Sequence, residues 1–302
     1  MTTTYHDPVM LKECIDALGI VENGVYVDVT FGGGGHSREI LRRLGPKGKL
    51  IAFDQDEDAQ RNRISDPRFV LVRHNYRYIR QFLRYYDVLP VNGLLADLGI
   101  SSYQIDEASK GFSIRFNAPL DMRMNRQGSL TAARVLNEYP ERELVRVFSD
   151  YGEVRNAKSL VRLILEMRME KKIEEIEDFK QRISSVADRQ HESNYYAKVF
   201  QALRIEVNDE LGALKELLIR SAEVVAPGGK LVVMAYHSLE DRLVKNFIAR
   251  GKFEGETEKD LFGNAIQVPF RALTKKPLEA GEEEINRNPR ARSAKLRIAE
   301  RI

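Results

Sequence analysis

The sequence predicts an α/β fold with a doubly wound, mostly parallel sheet that is interrupted by an all-helical insertion. Strand-like apolar segments alternate with amphipathic helical segments through the first hundred residues, which is typical of βαβ units. The strand pattern then stops for over a hundred residues and returns near residue 230. We therefore predict a sheet domain in two parts, 1–106 and 204–302, around a helical domain at 107–203.

Each element is predicted from its apolar pattern and its flanking residues. An amphipathic helix at 9–18 precedes a strand at 25–29, a run of four glycines and a helix that ends near Gly45. An apolar stripe beginning at Phe200 predicts one helix that runs to Ala226 and ends in a Pro-Gly-Gly turn. Further strands are predicted at 50–53, within 68–76, from 91 to 97, at 230–236 and within 293–299.

The composition favours a folded cytoplasmic enzyme. Of 302 residues, 43% are hydrophobic and 31% are charged, which is enough to build a core. We find neither a signal peptide nor an apolar run near the ~20 residues that span a bilayer. The single cysteine, Cys14, excludes an intramolecular disulfide and a cysteine metal cluster, and we predict no metal site. The net charge of +3 permits a nucleic-acid partner without arguing for one.

The glycine run resembles a cofactor loop. Asp28 lies near the end of the strand before it, and Asp54 is at the end of the next strand, where a carboxylate can accept hydrogen bonds from a ribose diol. A dinucleotide loop requires a third glycine where Ser37 stands, so that motif fails. The S-adenosylmethionine pattern, acid-x-Gly-x-Gly-x-Gly, is met with Thr30 in place of the first glycine. A flexible glycine turn without a ligand is the simpler alternative.

The end of the fourth strand is a candidate for the chemistry. Asp97, Ser101 and Ser102 follow this strand, and ligands of doubly wound sheets bind beyond the carboxyl ends of the strands. An acceptor there can hold the N–H groups of an exocyclic amine during methyl transfer. The tetrapeptide Asp-Leu-Gly-Ile departs from the usual amine-methylating motif, and a capping role for Asp97 stays open. Cys14 lies outside this edge, which disfavours carbon-5 methylation because that reaction needs a thiolate.

Several long segments together resemble the RsmH (MraW) family across essentially the whole chain. They are FGGGGHS, DLGISS with Gln104, GFSIRFNAPLDMRM, FQALRIEVNDEL, HSLEDR and NPRARSAKLR, in that order. The resemblance implies a class I, Rossmann-like methyltransferase that transfers methyl to N4 of a cytidine in the decoding centre of 16S ribosomal RNA. It also implies that the helical insertion recognises the substrate.

The same resemblance assigns contacts to S-adenosylmethionine by position. These contacts are Gly34, Gly35, His36, Asp54, Tyr76, Asp97 and Gln104. Tyr76 stands where the family often has phenylalanine, and Tyr103 replaces a common proline. Residues 195–198 also differ from the usual sequence before the FQALRI segment, which leaves the local loop geometry open.

Four further residues are candidates for substrate binding. Arg204 and Asn208 are four apart on one helix and can hold a phosphate or a base edge, although a solvated helix face is equally plausible. His237 and Ser238 follow a strand end, where a structural histidine is the preferred alternative to catalysis. Two arginine-rich segments, 61–84 and 287–301, are candidate phosphate contacts.

The predicted partner is 16S ribosomal RNA in the small ribosomal subunit, without a membrane. The oligomeric state stays open, with a homodimer among the possibilities. Two other functions also remain open: a methyltransferase for a small molecule or protein, and a non-catalytic RNA-binding factor that kept the fold. A dinucleotide enzyme is the most distant alternative.

Overall fold

The computed structural model describes residues 8–187, 190–255 and 268–302. The chain divides into two compact units. The first, which we call the sheet unit, contains the chain up to residue 99 and from residue 211 onward. The second, the helical unit, spans residues 100–210, so the predicted insertion limits at 107 and 203 lie inside it.

One seven-stranded sheet organises the sheet unit, in the order β3-β2-β1-β4-β5-β7-β6. Its strands are β1 (Val25–Asp28), β2 (Lys49–Phe53), β3 (Phe69–Val72), β4 (Val91–Asp97), β5 (Val225–Ala235), β6 (Phe270–Ala272) and β7 (Lys295–Arg301). The first five strands pair in parallel, while β7 is antiparallel to both β5 and β6. The predicted mostly parallel, doubly wound sheet is confirmed.

Both faces of the sheet are buried because successive side chains point to opposite sides. On β4, Leu94 joins one apolar cluster and Leu95 joins the other. On β5, Val233 and Met234 divide in the same way. The helices of this unit are α1 (Leu11–Leu18), α2 (Gly35–Arg43), α3 (Ile79–Tyr85), α10 (Glu210–Val224), α11 (Ser238–Arg250) and α12 (Glu282–Arg287), with 3-10 turns at Glu57–Asn62, Tyr76–Tyr78 and Pro289–Ser293.

The regular elements of the helical unit, among its described residues, are all helices. They are α4 (Ser102–Asp106), α5 (Ala132–Glu138), α6 (Glu141–Arg146), α7 (Ala157–Glu170), α8 (Ile176–Ile183) and α9 (Glu192–Asn208), with 3-10 turns at Ala108–Lys110 and Ser184–Val186 and a π turn at Val147–Tyr151. Their apolar faces form a separate core around Leu160, Ile164 and Phe179. In the described part of the chain, no helix has both the length and the apolarity to cross a membrane.

The region around residues 200–235 differs from the sequence prediction in two ways. The single helix predicted to run to Ala226 is two helices, because Asp209 has a left-handed backbone (φ 48°) and ends α9. Strand β5 begins directly after α10, and the Pro-Gly-Gly segment lies within its bounds as an irregularity rather than before it. The pairing shifts there from Val91 with Val225 to Gly93 with Lys230.

Candidate cofactor site

Three carboxylates lie at the carboxyl edge of the sheet, where the strand order changes between β1 and β4. Asp28 and Asp97 are the last residues of β1 and β4, and Asp54 directly follows β2. Since parallel strands present their carboxyl ends at one edge, this is where doubly wound sheets bind their ligands. The sheet topology therefore brings together three residues that lie far apart in the sequence.

Asp28 orders the loop that follows β1. Its carboxylate is 1% exposed and accepts hydrogen bonds from the Thr30 backbone N–H (3.1 Å) and the Ser37 hydroxyl (2.6 Å). The Thr30 hydroxyl in turn accepts from the Asp97 backbone N–H at 2.7 Å. Burial raises the pKa of Asp28, and these donors oppose that rise. Asp28 thus ties the loop to the start of α2 through Ser37, and Thr30 links the loop to β4.

The glycine loop needs residues without a Cβ at two positions. Gly34 has a φ of 77°, a left-handed conformation that side chains rarely adopt, and it precedes the first turn of α2. A Cβ on Gly35 would lie 2.2 Å from Cγ of Pro8, so the backbone packs directly against the N-terminal segment. The loop is a close-packed cradle rather than a loose turn.

Asp54 is built into the other side of this cradle. One carboxylate oxygen accepts from the Gly32 backbone N–H at 2.8 Å, and the other accepts from the Asp56 N–H at 2.8 Å. Burial raises the pKa of Asp54 to about 6, although both hydrogen bonds oppose the shift. Each oxygen has more than one acceptor site, so a ribose diol can still donate to it.

Asp97 connects the cradle to β5 and α2. Its Oδ1 accepts from the Tyr236 hydroxyl at 2.7 Å, and its Oδ2 lies 3.7 Å from Nδ1 of His36. Nε2 of His36 is 3.2 Å from the carbonyl oxygen of Val9. Burial raises the pKa of Asp97 to about 6 and lowers the pKa of His36, so the imidazole is neutral near pH 7.

Tyr76 is the remaining predicted cofactor contact of the sheet unit. It begins the 3-10 turn Tyr76–Tyr78, where the Asn75 side chain accepts from the Arg77 N–H at 2.9 Å. Its ring packs partly buried against the cluster on one face of the sheet. The ring is therefore held in place by neighbouring apolar side chains.

Two predicted residues of the helical unit form a capping box at the start of α4. The Ser101 hydroxyl accepts from the Gln104 backbone N–H at 3.2 Å, and the Gln104 side chain accepts from the Ser101 N–H at 3.0 Å. Gln104 is 5% exposed. The structure describes the backbone of Ser102 at the first position of this helix, while its side chain lies outside the described part.

Arg204 and Asn208 make internal contacts in the helical unit. Oδ1 of Asn208 accepts from the Met124 N–H at 2.8 Å, and its Nδ2 donates to the Met122 carbonyl at 2.8 Å. Arg204 forms an ion pair with Glu210 at 2.9 Å, and both side chains are largely buried. These contacts give both residues a structural role, and their predicted contact with substrate stays a prediction.

His237 caps helix α11. Its Nδ1 accepts from the Glu240 backbone N–H, and its Nε2 lies 3.3 Å from a Glu240 carboxylate oxygen. Ser238 is exposed at the first position of the helix. The capping contact agrees with the structural reading of His237, and a role in substrate binding stays a prediction for both residues.

The arginine-rich segment 61–84 is less available to phosphates than its composition predicts. Five of its seven arginines are ion-paired with acidic residues of the same unit. The pairs are Arg61 with Asp58, Arg68 with Asp66, Arg73 with Glu57, Arg77 with Glu216 and Arg80 with Glu223. The sequence count missed this because two of the partner carboxylates lie on α10, far away in the chain.

The residues at this edge fit S-adenosylmethionine better than a dinucleotide. Buried carboxylates with raised pKa values are stabilised by a cation, and this cofactor carries a sulfonium and an ammonium. A pyrophosphate would instead meet like charges at Asp28, Asp54 and Asp97. A sheet of this strand order with an acidic edge and a glycine cradle defines the class of S-adenosylmethionine-dependent methyltransferases.

Comparisons with known proteins identify the family. The model of the MraW methylase family matches residues 3–302, and the chain belongs to this family. A Bacteroides fragilis relative named ribosomal RNA small subunit methyltransferase H is 54% identical over 299 residues, covering 99% of this chain and 98% of its own. A Flavobacterium johnsoniae relative with the same name is 53% identical over 304 residues and covers 100% of both chains. An rRNA methylase structure from Streptococcus thermophilus aligns over 97% of this chain and 93% of its own, with 13% identity and a TM-score of 0.41.

The family match confirms the resemblance to the RsmH (MraW) family, the methyltransferase class and the cofactor S-adenosylmethionine. The contacts of individual residues with the cofactor stay predictions. Among the residues named for them, the structure brings Gly34, Gly35, His36, Asp54 and Asp97 to one edge of the sheet unit.

Proposed function

We propose that the protein transfers a methyl group from S-adenosylmethionine to N4 of a cytidine in the decoding centre of 16S ribosomal RNA. Ribosomal RNA of the small subunit is the substrate class named for relatives that match over nearly the full chain. The observation that carries the choice of an amine is Asp97, a carboxylate at the end of β4 whose pKa is raised by burial to about 6. Such a group can accept an amine proton at physiological pH.

In this proposal the chain positions the reacting groups. Gly34, Gly35, Asp54 and Tyr76 hold S-adenosylmethionine, which supplies an activated methyl group when bound. Asp97 accepts a hydrogen bond from the cytidine amine and directs its lone pair toward the methyl group. The amine proton that becomes acidic after transfer then passes to this carboxylate or to water.

The state of Cys14 supports an amine over a ring carbon as the acceptor. This residue lies buried in α1, and burial raises the pKa of its thiol well above the usual value. Attack on a pyrimidine ring carbon needs a thiolate, and a thiol in this state is protonated near pH 7. The protonated thiol of Cys14 therefore gives no support to carbon-5 methylation.

The helical unit is proposed to recognise the RNA. We expect Ser101, Ser102 and Gln104 to act at the junction of cofactor and amine, and Arg204, Asn208, His237 and Ser238 to bind the substrate. The helical insertion is nearly balanced in charge, so we expect it to recognise RNA shape more than bulk charge. The target base has to leave its stack to reach the methyl group. We expect the enzyme to act in the bacterial cytoplasm on the small ribosomal subunit.

The proposal is tested by methyl transfer to defined ribosomal substrates. S-adenosylmethionine with a labelled methyl group is incubated with the protein and with small subunits that lack the native modification, and naked 16S RNA is tested in parallel. Nucleosides are then identified by mass spectrometry. We expect label in N4-methylcytidine on the subunits and at least tenfold less, as an order of magnitude, with Asp97→Asn.

A matched control separates loss of chemistry from loss of fold. Asp66→Asn removes a carboxylate that pairs with Arg68 away from the sheet edge. It should keep full activity. Label in another nucleoside, or label on a free metabolite with none on subunits, would contradict the proposed substrate.

A further inference from the structure

We propose that Tyr236 is a positioning residue that orients Asp97 and keeps it ionised for methyl transfer. This inference rests on the proposed function, since it names a residue that serves the same carboxylate. Tyr236 directly follows β5, and its hydroxyl donates to Oδ1 of Asp97 at 2.7 Å. The two residues are 139 positions apart, so only the pairing of β4 with β5 brings them together.

Tyr236 is held in place at its backbone and at its ring. Its backbone N–H donates to a Glu240 carboxylate oxygen at 2.9 Å, which anchors the residue to the first turn of α11. A Cβ on Gly99 would lie 3.4 Å from the ring, so the chain after β4 passes directly over it. Burial and the charge of Asp97 raise the pKa of Tyr236 well above 10, so the hydroxyl remains a donor.

His36 defines which oxygen of Asp97 faces the substrate. Because the Val9 carbonyl can only accept, Nε2 of the neutral imidazole carries the proton and Nδ1 carries a lone pair. That lone pair faces Oδ2 of Asp97 at 3.7 Å and cannot donate to it. With Oδ1 bound by Tyr236, we assign the hydrogen bond from an amine N–H to Oδ2. The geometry thus assigns a different task to each carboxylate oxygen.

The charged groups around Asp97 fix the sign of the expected pH effect. The pKa of Asp97 is raised first by burial and then by Asp28 on β1 and Glu240 on α11, and it is lowered by the charge of His36 on α2 when that ring is protonated and by the hydrogen bond from Tyr236. Cys14 on α1 also faces it and is protonated. Removing the Tyr236 hydroxyl destabilises the ionised carboxylate, so the pKa of Asp97 rises.

The test compares the pH dependence of kcat for wild type and Tyr236→Phe on small subunits at saturating cofactor. The acid limb of the profile should move upward by roughly half a unit to one unit, with kcat recovering above about pH 8. The KM for the subunit should stay within about threefold. Replacing Tyr236 by 3-fluorotyrosine, a stronger donor of nearly the same size, should move the limb in the opposite direction.

The control and a second measurement keep the outcome unambiguous. Tyr26→Phe removes a hydroxyl that donates to the Gly19 carbonyl at 3.2 Å, away from the cradle, and should leave the limb unchanged. In the free protein, the ¹³C carboxyl signal that disappears in Asp97→Asn should titrate at higher pH in Tyr236→Phe. An unchanged signal and limb overturn the role of Tyr236. If the wild type forms no N4-methylcytidine, the proposed function is overturned instead. The carboxyl titration then still shows whether the Tyr236 hydroxyl lowers the pKa of Asp97.

Discussion

The ionised form of Asp97 is expected to lower the folding stability of the cofactor-free protein. A rise of its pKa from the usual 3.8 to about 6 means that ionising it in the folded state costs about 3 kcal/mol at neutral pH. Asp97→Asn keeps an acceptor for the Tyr236 hydroxyl and removes the charge. We expect this variant to lose methyl transfer and to unfold at a higher temperature than wild type at about pH 7.5.

The pH dependence of this gain follows from the same shift. Between about pH 4 and 6 the folded state binds more protons than the unfolded state, so wild-type stability falls as pH rises through that window. The advantage of Asp97→Asn should therefore be full above pH 6 and vanish near pH 4. Asp241→Asn, which breaks an ion pair with Arg297, should lower the melting temperature instead. A lower melting temperature for Asp97→Asn at neutral pH would contradict the prediction.

Cofactor affinity should depend on pH through Asp54 and Asp97. Both have pKa values of about 6 because burial disfavours their charged forms. A cationic cofactor needs them ionised, so its Kd should be constant above about pH 7 and rise by up to about tenfold per pH unit below 6 for each group. Calorimetric titration between pH 5 and 8 measures this dependence. Asp54→Asn should weaken binding and make the rise shallower, whereas Asp58→Asn should change neither.

At the scale of elements, the glycine loop and α2 depend on a close approach of two backbone segments. Gly35→Ala would place a Cβ 2.2 Å from Cγ of Pro8, so the loop or the N-terminal segment has to move. We expect a loss of about 1–3 kcal/mol in unfolding free energy and weaker binding of S-adenosylhomocysteine. Gly281→Ala, with no atom within 4 Å of the added Cβ, is the control and should change binding by less than about twofold. Equal effects of the two variants would rule out close packing as the cause.

Elements with long apolar runs were predictable, and those set by tertiary contacts were not. β4 and β5 are identifiable because burial on both faces requires nearly continuous apolar residues. β6 has three residues and one buried side chain, so its sequence carries no strand period. The left-handed Asp209 interrupts an apolar stripe that continues on both sides, and periodicity does not detect a break of one residue.

The same distinction applies to the site. Asp28, Asp54 and Asp97 were predictable because each ends an identifiable strand, and strand ends share an edge. Tyr236 was missed because its function depends on a hydroxyl that meets Asp97 across two paired strands. Tyr236 ends the run KLVVMAY and therefore has the appearance of one more apolar strand residue.

At the scale of the whole molecule, the two units have separate cores, and the proposed function gives them separate tasks. Asp28, Asp54 and Asp97 belong to the sheet unit, and Gln104 is the proposed cofactor contact in the helical unit. Phe179 is fully buried in the core of the helical unit. Phe179→Ala should cost about 3–5 kcal/mol there and increase hydrogen exchange within residues 100–210.

This variant separates cofactor binding from substrate recognition. Loss of one contact at Gln104 is worth about 1 kcal/mol, so affinity for S-adenosylhomocysteine should fall by less than about tenfold while transfer to small subunits is abolished. Met169→Ala, at an 86% exposed position on α7, should leave both unchanged. Exchange measured by mass spectrometry and binding measured by calorimetry report the two units independently. A complete loss of cofactor binding in Phe179→Ala would contradict this prediction, because it would mean that the helical unit contributes far more to cofactor binding than the contact at Gln104.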